Sequence, residues 1–124
     1  MKKSKLLSEV LKDLKSFLGA EKLRFVGKTD HKIDRIAVVG GSGASLVSLA
    51  SQKGADMLLT GDVGYHHAME AKSLGITLVD GGHFHTEKTA FTIFAKHLGK
   101  MISDREWECI VEIDESECDP VKYF

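Results

Sequence analysis

The chain has 124 residues, 43% of them hydrophobic and 28% charged, with a formal net charge of −1. That length suits one domain with a self-sufficient core, and the composition excludes wholesale disorder and fibrous repeats. No apolar run approaches the roughly 20 residues a membrane-spanning helix needs, and the near-neutral balance argues against a nucleic-acid binder.

Charge is nevertheless unevenly spread. Residues 1–35 carry a net +5 and residues 104–119 a net −7, as solvated faces or as an interaction patch. The two cysteines, Cys109 and Cys118, form no CxxC pair, which fits free thiols in a reducing cytoplasm. Glu9 and Asp13 interrupt the Lys-rich start, so it reads as structure rather than as a targeting peptide.

In chain order, Leu6, Leu7, Val10, Leu11, Leu14, Phe17 and Leu18 recur at three- and four-residue steps. That spacing predicts an amphipathic helix stopped by Gly19. Leu23–Val26 reads as a short strand and Gly27–Asp34 as a loop. Three units then repeat one rhythm: an apolar run, a glycine turn, a helix. The runs are Ile36–Val39, Met57–Thr60 and Ile76–Val79. The helices are Ser45–Gln52, Tyr65–Leu74 closed by Gly75, and Glu87–Leu98 closed by Gly99. Continuous short runs bounded by glycine predict buried parallel strands in a layered α/β domain. Trp107, Cys109, Val111 and Ile113 alternate with glutamates, which predicts a half-exposed edge strand. Residues 114–124 read as an irregular end.

Ligands of parallel α/β sheets gather at the carboxyl ends of the strands. Four of the six histidines fall there. His83 and Glu87 are four apart at a helix mouth, and Glu87 heads a stripe continued by Ala90, Phe91, Phe94 and Leu98. A carboxylate at the top of a buried stripe needs a partner. A divalent cation (zinc, iron or manganese) held by His nitrogen and Glu oxygen would supply one. Alternatively, Glu87 complements the positive helix N-terminus and His83 is a turn residue. His66 and His67 diverge by about 100° on a helix, so at most one faces the crevice. His66, His67, His85 and Asp62 are accessory candidates. Gly41, Ser42 and Gly43 read either as an anion-binding turn or as a tight turn with Ser42 or Ser45 capping a helix. The turn lacks a Walker ending.

Three blocks carry a family resemblance: Arg35-Ile-Ala-Val-Val-Gly-Gly-Ser-Gly43, Gly54-Ala-Asp-Met-Leu-Leu-Thr-Gly-Asp-Val-Gly-Tyr-His66 and Asp80-Gly-Gly-His-Phe-His-Thr-Glu87. Their order and spacing resemble the NIF-three-like dinuclear-metal family, the GTP cyclohydrolase I type-two homologues. The resemblance implies an α/β fold of helix–strand and then three strand–helix units, on a mixed, mostly parallel sheet whose first strand is antiparallel. It implies that residues 1–124 form a single domain equivalent to the second half of a duplicated protein. It assigns metal-ligand roles to His83 and Glu87 and a cleft position to His66.

The first-half ligands, a His-His pair and an Asp, have no counterpart here. Gly64 stands for a more usual Lys and His67 for a more usual Asp, Gly81 replaces a common Ala, and His85 is added. The resemblance therefore implies a metal-binding protein and a metal-dependent hydrolase with an incomplete two-metal site. The alternative is a non-catalytic interaction or scaffold module. Expected partners are a second copy of the chain or a missing first-half chain, and a phosphate-bearing small molecule.

Overall fold

The computed structural model describes residues 3–124. A first strand, β1 (Lys5–Leu6), leads into α1 (Leu7–Leu18). The predicted helix stripe buries Leu7, Val10 and Leu18. Gly19 ends the helix at φ 65°, a left-handed C-cap that glycine adopts without a Cβ penalty. Next come β2 (Arg24–Val26), β3 (Lys32–Ile33) and β4 (Ile36–Ser42). A short 3-10 turn, Ala44–Leu46, precedes α2 (Val47–Gln52). Then follow β5 (Met57–Gly61), α3 (Tyr65–Leu74), β6 (Thr77–Asp80) and α4 (His83–Asp104).

Four strands form one mixed sheet in the order β2-β6-β5-β4. β4, β5 and β6 are parallel, and β2 pairs antiparallel with β6 from Arg24↔Asp80 to Val26↔Leu78. The predicted helix–strand start followed by three strand–helix units is therefore the architecture found. β5 and β6 are buried along their whole lengths, which explains why Met57-Leu58-Leu59 and Leu78-Val79 do not alternate with exposed polar residues; the polar Thr60, Thr77 and Asp80 are buried too. Met57, Leu59 and Val79 join Leu7, Val10 and Leu18 on one face. Leu58 and Leu78 join Val47, Ala50 and Ala71 on the other. The central strands thus hold the two cores together, and the second face buries the small helices α2 and α3.

Several boundaries differ from the sequence reading. The predicted loop Gly27–Asp34 contains β3, which pairs antiparallel with β1 in a separate two-stranded ribbon. A two-residue strand is too short for a periodic signal. β4 runs past Val39 to Ser42, with an irregular register between Val38 and Ser42 that accommodates the glycines. The predicted helix from Ser45 begins as the 3-10 turn. α4 starts four residues before Glu87 and passes through Gly99 to Asp104. Gly99 does not stop it: a Cβ there would meet Val111 at 3.8 Å, so the glycine sits where the C-terminal segment crosses the helix.

The predicted edge strand at 107–113 does not form. The segment returns along α4 instead of lying on a sheet edge. Lys88 Nζ donates to the Glu117 carbonyl at 2.6 Å, and His85 lies 3.7 Å from the Asp119 carboxylate. An alternating pattern needs a neighbouring strand to become a ladder, and none lies alongside among the described residues.

Candidate functional site

Three chain segments meet at the carboxyl ends of β4 and β5. Ser42 closes β4, Asp62 follows β5, and His83 and Glu87 occupy the first two turns of α4. The approach is close because Gly61 has no side chain. A Cβ at Gly61 would fall 2.6 Å from the His83 amide nitrogen. Two threonines tie the glycine segment down. The Gly41 amide donates to Thr86 Oγ1 at 3.0 Å, and Thr86 donates to the Gly82 carbonyl at 2.8 Å. The Gly43 amide donates to Thr60 Oγ1 at 2.8 Å, and Thr60 donates to the Gly41 carbonyl at 3.0 Å. An anion seeking the amides of Gly41 and Gly43 would have to displace these hydroxyls.

His83 is the hub. Its Nδ1 lies 2.6 Å from Asp62 Oδ2, and its Nε2 lies 2.6 Å from Glu87 Oε2. The Ser42 hydroxyl bonds the same Asp62 oxygen and stands 3.2 Å from His83 Nδ1. Asp62 reaches this position with a left-handed backbone at φ 53°, a conformation that Asp tolerates better than most residues. The Ser42 hydroxyl, then the His83 ring, hold the Asp62 carboxyl below the ordinary carboxylate range. The hydrogen bond that the His83 ring donates to Asp62, with a smaller contribution from Glu87, raises His83 above the ordinary imidazole value.

The i,i+4 spacing of His83 and Glu87 therefore does bring them together. Glu87 is not, however, a buried carboxylate. Its side chain is 48% exposed, and Phe91 and Phe94 on the same helix also face solvent. In α4 only Thr86 is buried, and the rest of the helix is half-buried or exposed. The ion pair with His83, rather than relief of burial, accounts for Glu87's orientation.

The remaining candidates do not join. His66 is exposed on α3 with its ring edge-on to Tyr65, 5.6 Å between centroids. His67 is half-buried on the same helix, and His85 turns toward Asp119. The sequence reading missed Thr60 and Thr86 as the hydroxyls that brace the glycine turn. Thr60 lies inside β5 and Thr86 in the first turn of α4, positions where a small hydroxyl gives no periodic signal.

A cleft of about 700 Å³ opens beside this cluster, between α4 and the C-terminal segment. His83 and Glu87 stand among Phe84, Phe91, Ile113 and Val121 on its walls. No helix among the described residues is long and apolar enough to cross a membrane.

The cluster can be tested for its fit to a divalent ion. No three His, Cys, Asp or Glu side chains converge as a ligand set among the described residues. Two donors do converge, His83 Nε2 and Glu87 Oε2. Their 2.6 Å separation needs to open only to about 3 Å for both to ligate one ion at roughly 2.1 Å. The missing Cβ of Gly41 leaves room above them, since it would fall 3.0 Å from Glu87 Oε2 and 3.2 Å from His83 Nε2. The residues fit two positions of a coordination sphere, and a full sphere needs further ligands.

A family model described as Duf34/NIF3 (NGG1p interacting factor 3) matches residues 1–120. A GTP cyclohydrolase 1 type 2 homolog of Staphylococcus aureus strain Mu50 is 44% identical over 78 residues, which cover 63% of this chain and 21% of that protein. A protein of the same name from Clostridium acetobutylicum is 29% identical over 117 residues, covering 94% of this chain and 44% of its own length. The crystal structure of Staphylococcus aureus protein SA1388 superposes with a TM-score of 0.87 at 33% identity, over 100% of this chain and 40% of that one. The chain thus spans less than half the length of these relatives.

Proposed function

The chain belongs to the Duf34/NIF3 (NGG1p interacting factor 3) family, and on that footing we propose that it binds a divalent metal ion through His83 and Glu87 as part of a metal-dependent hydrolase centre. The single observation that carries this reading is the convergence of His83 Nε2 and Glu87 Oε2 at the strand ends, with Asp62 behind the ring. Zinc, iron and manganese all accept imidazole and carboxylate ligands. Two ligands hold an ion weakly, so the rest of the sphere comes from a second chain or from a segment corresponding to the remainder of the longer relatives. When bound, the ion supplies Lewis-acid activation of a phosphate or carbonyl oxygen.

The chain's own residues supply the setting. Gly41 keeps the approach to Nε2 and Oε2 open. The cleft beside α4 offers Phe84, Phe91, Ile113 and Val121 to an organic group attached to the reacting oxygen, with Lys88 and the acidic Glu112, Asp114, Glu117 and Asp119 also on its walls. Isothermal titration of the metal-stripped protein with zinc, ferrous or manganous salts tests the reading. Saturable binding by the wild type, abolished in His83→Ala/Glu87→Ala, is expected. No binding by the wild type to any of the three would overturn it.

A second reading, a protein-interaction module, is favoured by the solvent-facing aromatic rings of Phe91 and Phe94, 64% and 61% exposed. Large exposed apolar groups in register on one helix mark contact surfaces. Partner binding that persists with the metal removed and is lost in Phe91→Ser/Phe94→Ser would support that alternative. Partner binding unchanged in that variant would dismiss it.

A further inference from the structure

We propose that Asp62, braced by Ser42, is a positioning residue that keeps the proton of the neutral His83 ring on Nδ1 and so presents Nε2 as the ligating nitrogen. This deepens the metal reading above and rests on it. Two carboxylates compete for the ring, one at each nitrogen, and both lie at 2.6 Å. They are not equivalent. Asp62 is anchored by its own backbone and by the Ser42 hydroxyl, which comes from a different strand. Glu87 has His83 as its side-chain partner, and its longer stem swings more freely. A fixed acceptor holds a ring N–H better than a mobile one. Glu87 is thereby left to turn outward with Nε2. Carboxylate–His pairs of this kind set the tautomer and ring orientation of metal-ligating histidines.

The geometry around Asp62 is hard to explain by packing alone. The residue is exposed and contributes nothing to the cores. It nonetheless adopts φ 53°, a left-handed conformation that costs free energy for any residue with a Cβ. The glycine before it lets the β5 end touch the α4 start. Together these place one carboxylate oxygen within hydrogen-bond reach of both Ser42 and His83. A surface turn without this task would accept glycine or asparagine equally well.

The test uses the full chain, Asp62→Asn and Ser42→Ala. Asparagine tolerates the left-handed backbone, so the fold is kept, which a thermal melt confirms. Long-range proton–nitrogen correlation spectra of the metal-free protein at pH 9.5 read which ring nitrogen of His83 carries the proton. The wild type is expected to show Nδ1–H, and Asp62→Asn to lose that preference. Zinc chloride titration is expected to show roughly 10- to 100-fold weaker binding by Asp62→Asn and a smaller loss by Ser42→Ala. Unchanged tautomer and zinc affinity in Asp62→Asn would overturn the inference while leaving the metal reading intact. If the wild type binds none of zinc, ferrous and manganous ions, the metal reading falls, and the spectra alone decide the role of Asp62: Nδ1–H lost in Asp62→Asn supports it, and identical spectra refute it.

Discussion

Gly61→Ala converts the close approach of β5 and α4 into a measurable cost. The added Cβ would lie 2.6 Å from the His83 nitrogen, 2.7 Å from its Cα and 2.8 Å from the Gly82 carbonyl carbon. All three are backbone atoms, so no rotamer change relieves the clash. Carbon–carbon contact is comfortable near 3.5 Å, so the first turn of α4 must retreat by about 0.8 Å. Overpacking of this kind typically costs about 1–3 kcal/mol, or about 4 °C in Tm per kcal/mol for a domain of this size. The same retreat stretches the 2.6 Å contact between Asp62 and His83 toward the limit of a useful hydrogen bond. Urea unfolding gives the stability, and the His83 ring resonances report the site. Gly64→Ser is the control: a Cβ at Gly64 meets nothing within 4 Å, and serine is a good residue for the first position before α3. A Gly61→Ala midpoint equal to that of Gly64→Ser would refute the close-approach argument.

Three other substitutions probe the scaffold. Leu58→Ala removes a fully buried side chain of β5 and is expected to cost about 2–5 kcal/mol by urea titration; a loss below about 1 kcal/mol would contradict the double-sided burial of that strand. Thr77→Val replaces a buried hydroxyl that meets no partner among the described residues, so stability should be unchanged or higher, and a clear drop in Tm would mean that the hydroxyl is satisfied in solution. Arg24→Ala removes the guanidinium 2.5 Å from Asp80 and 2.9 Å from the Val63 carbonyl. Because Arg24 is largely exposed, about 1 kcal/mol is expected, shrinking in 1 M salt, and a salt-independent loss would place the effect in packing instead.

Much of this fold is legible in its sequence. The three apolar runs became β4, β5 and β6; β5 and β6 are buried along their whole lengths, whereas β4 lies at the sheet edge with Ile36 and Val38 exposed, so its apolar run marks a parallel strand but not a buried one. The four-residue step from His83 to Glu87 became a contact because a helix brings such positions together. The rest depended on distance along the chain. Asp62 stood out as an accessory candidate, yet its contact with His83 spans 21 residues, and no periodicity encodes it. The sequence offers Ser42 as a helix cap or as part of an anion-binding turn, whereas its hydroxyl braces Asp62. The expected burial of Glu87 failed because an apolar stripe specifies which face of a helix is greasy without specifying what covers it. The tail shows the same limit, since alternation proposes a strand and only a neighbour completes it.

The single buried anchor of α4 has a dynamic consequence. Thr86, locked to the Gly41 amide, fixes the front of the helix to the sheet, and beyond it the inner stripe of Thr92, Ala95, Leu98 and Ile102 is only half-buried. Amide hydrogen exchange should therefore be graded along this one helix. Protection should be high around Thr86–Ala90 and fall toward Ile102, so that opening begins at the far end. The donor pair sits at the slow-exchanging end. Fraying of the far end can reshape the cleft without first disturbing His83 and Glu87.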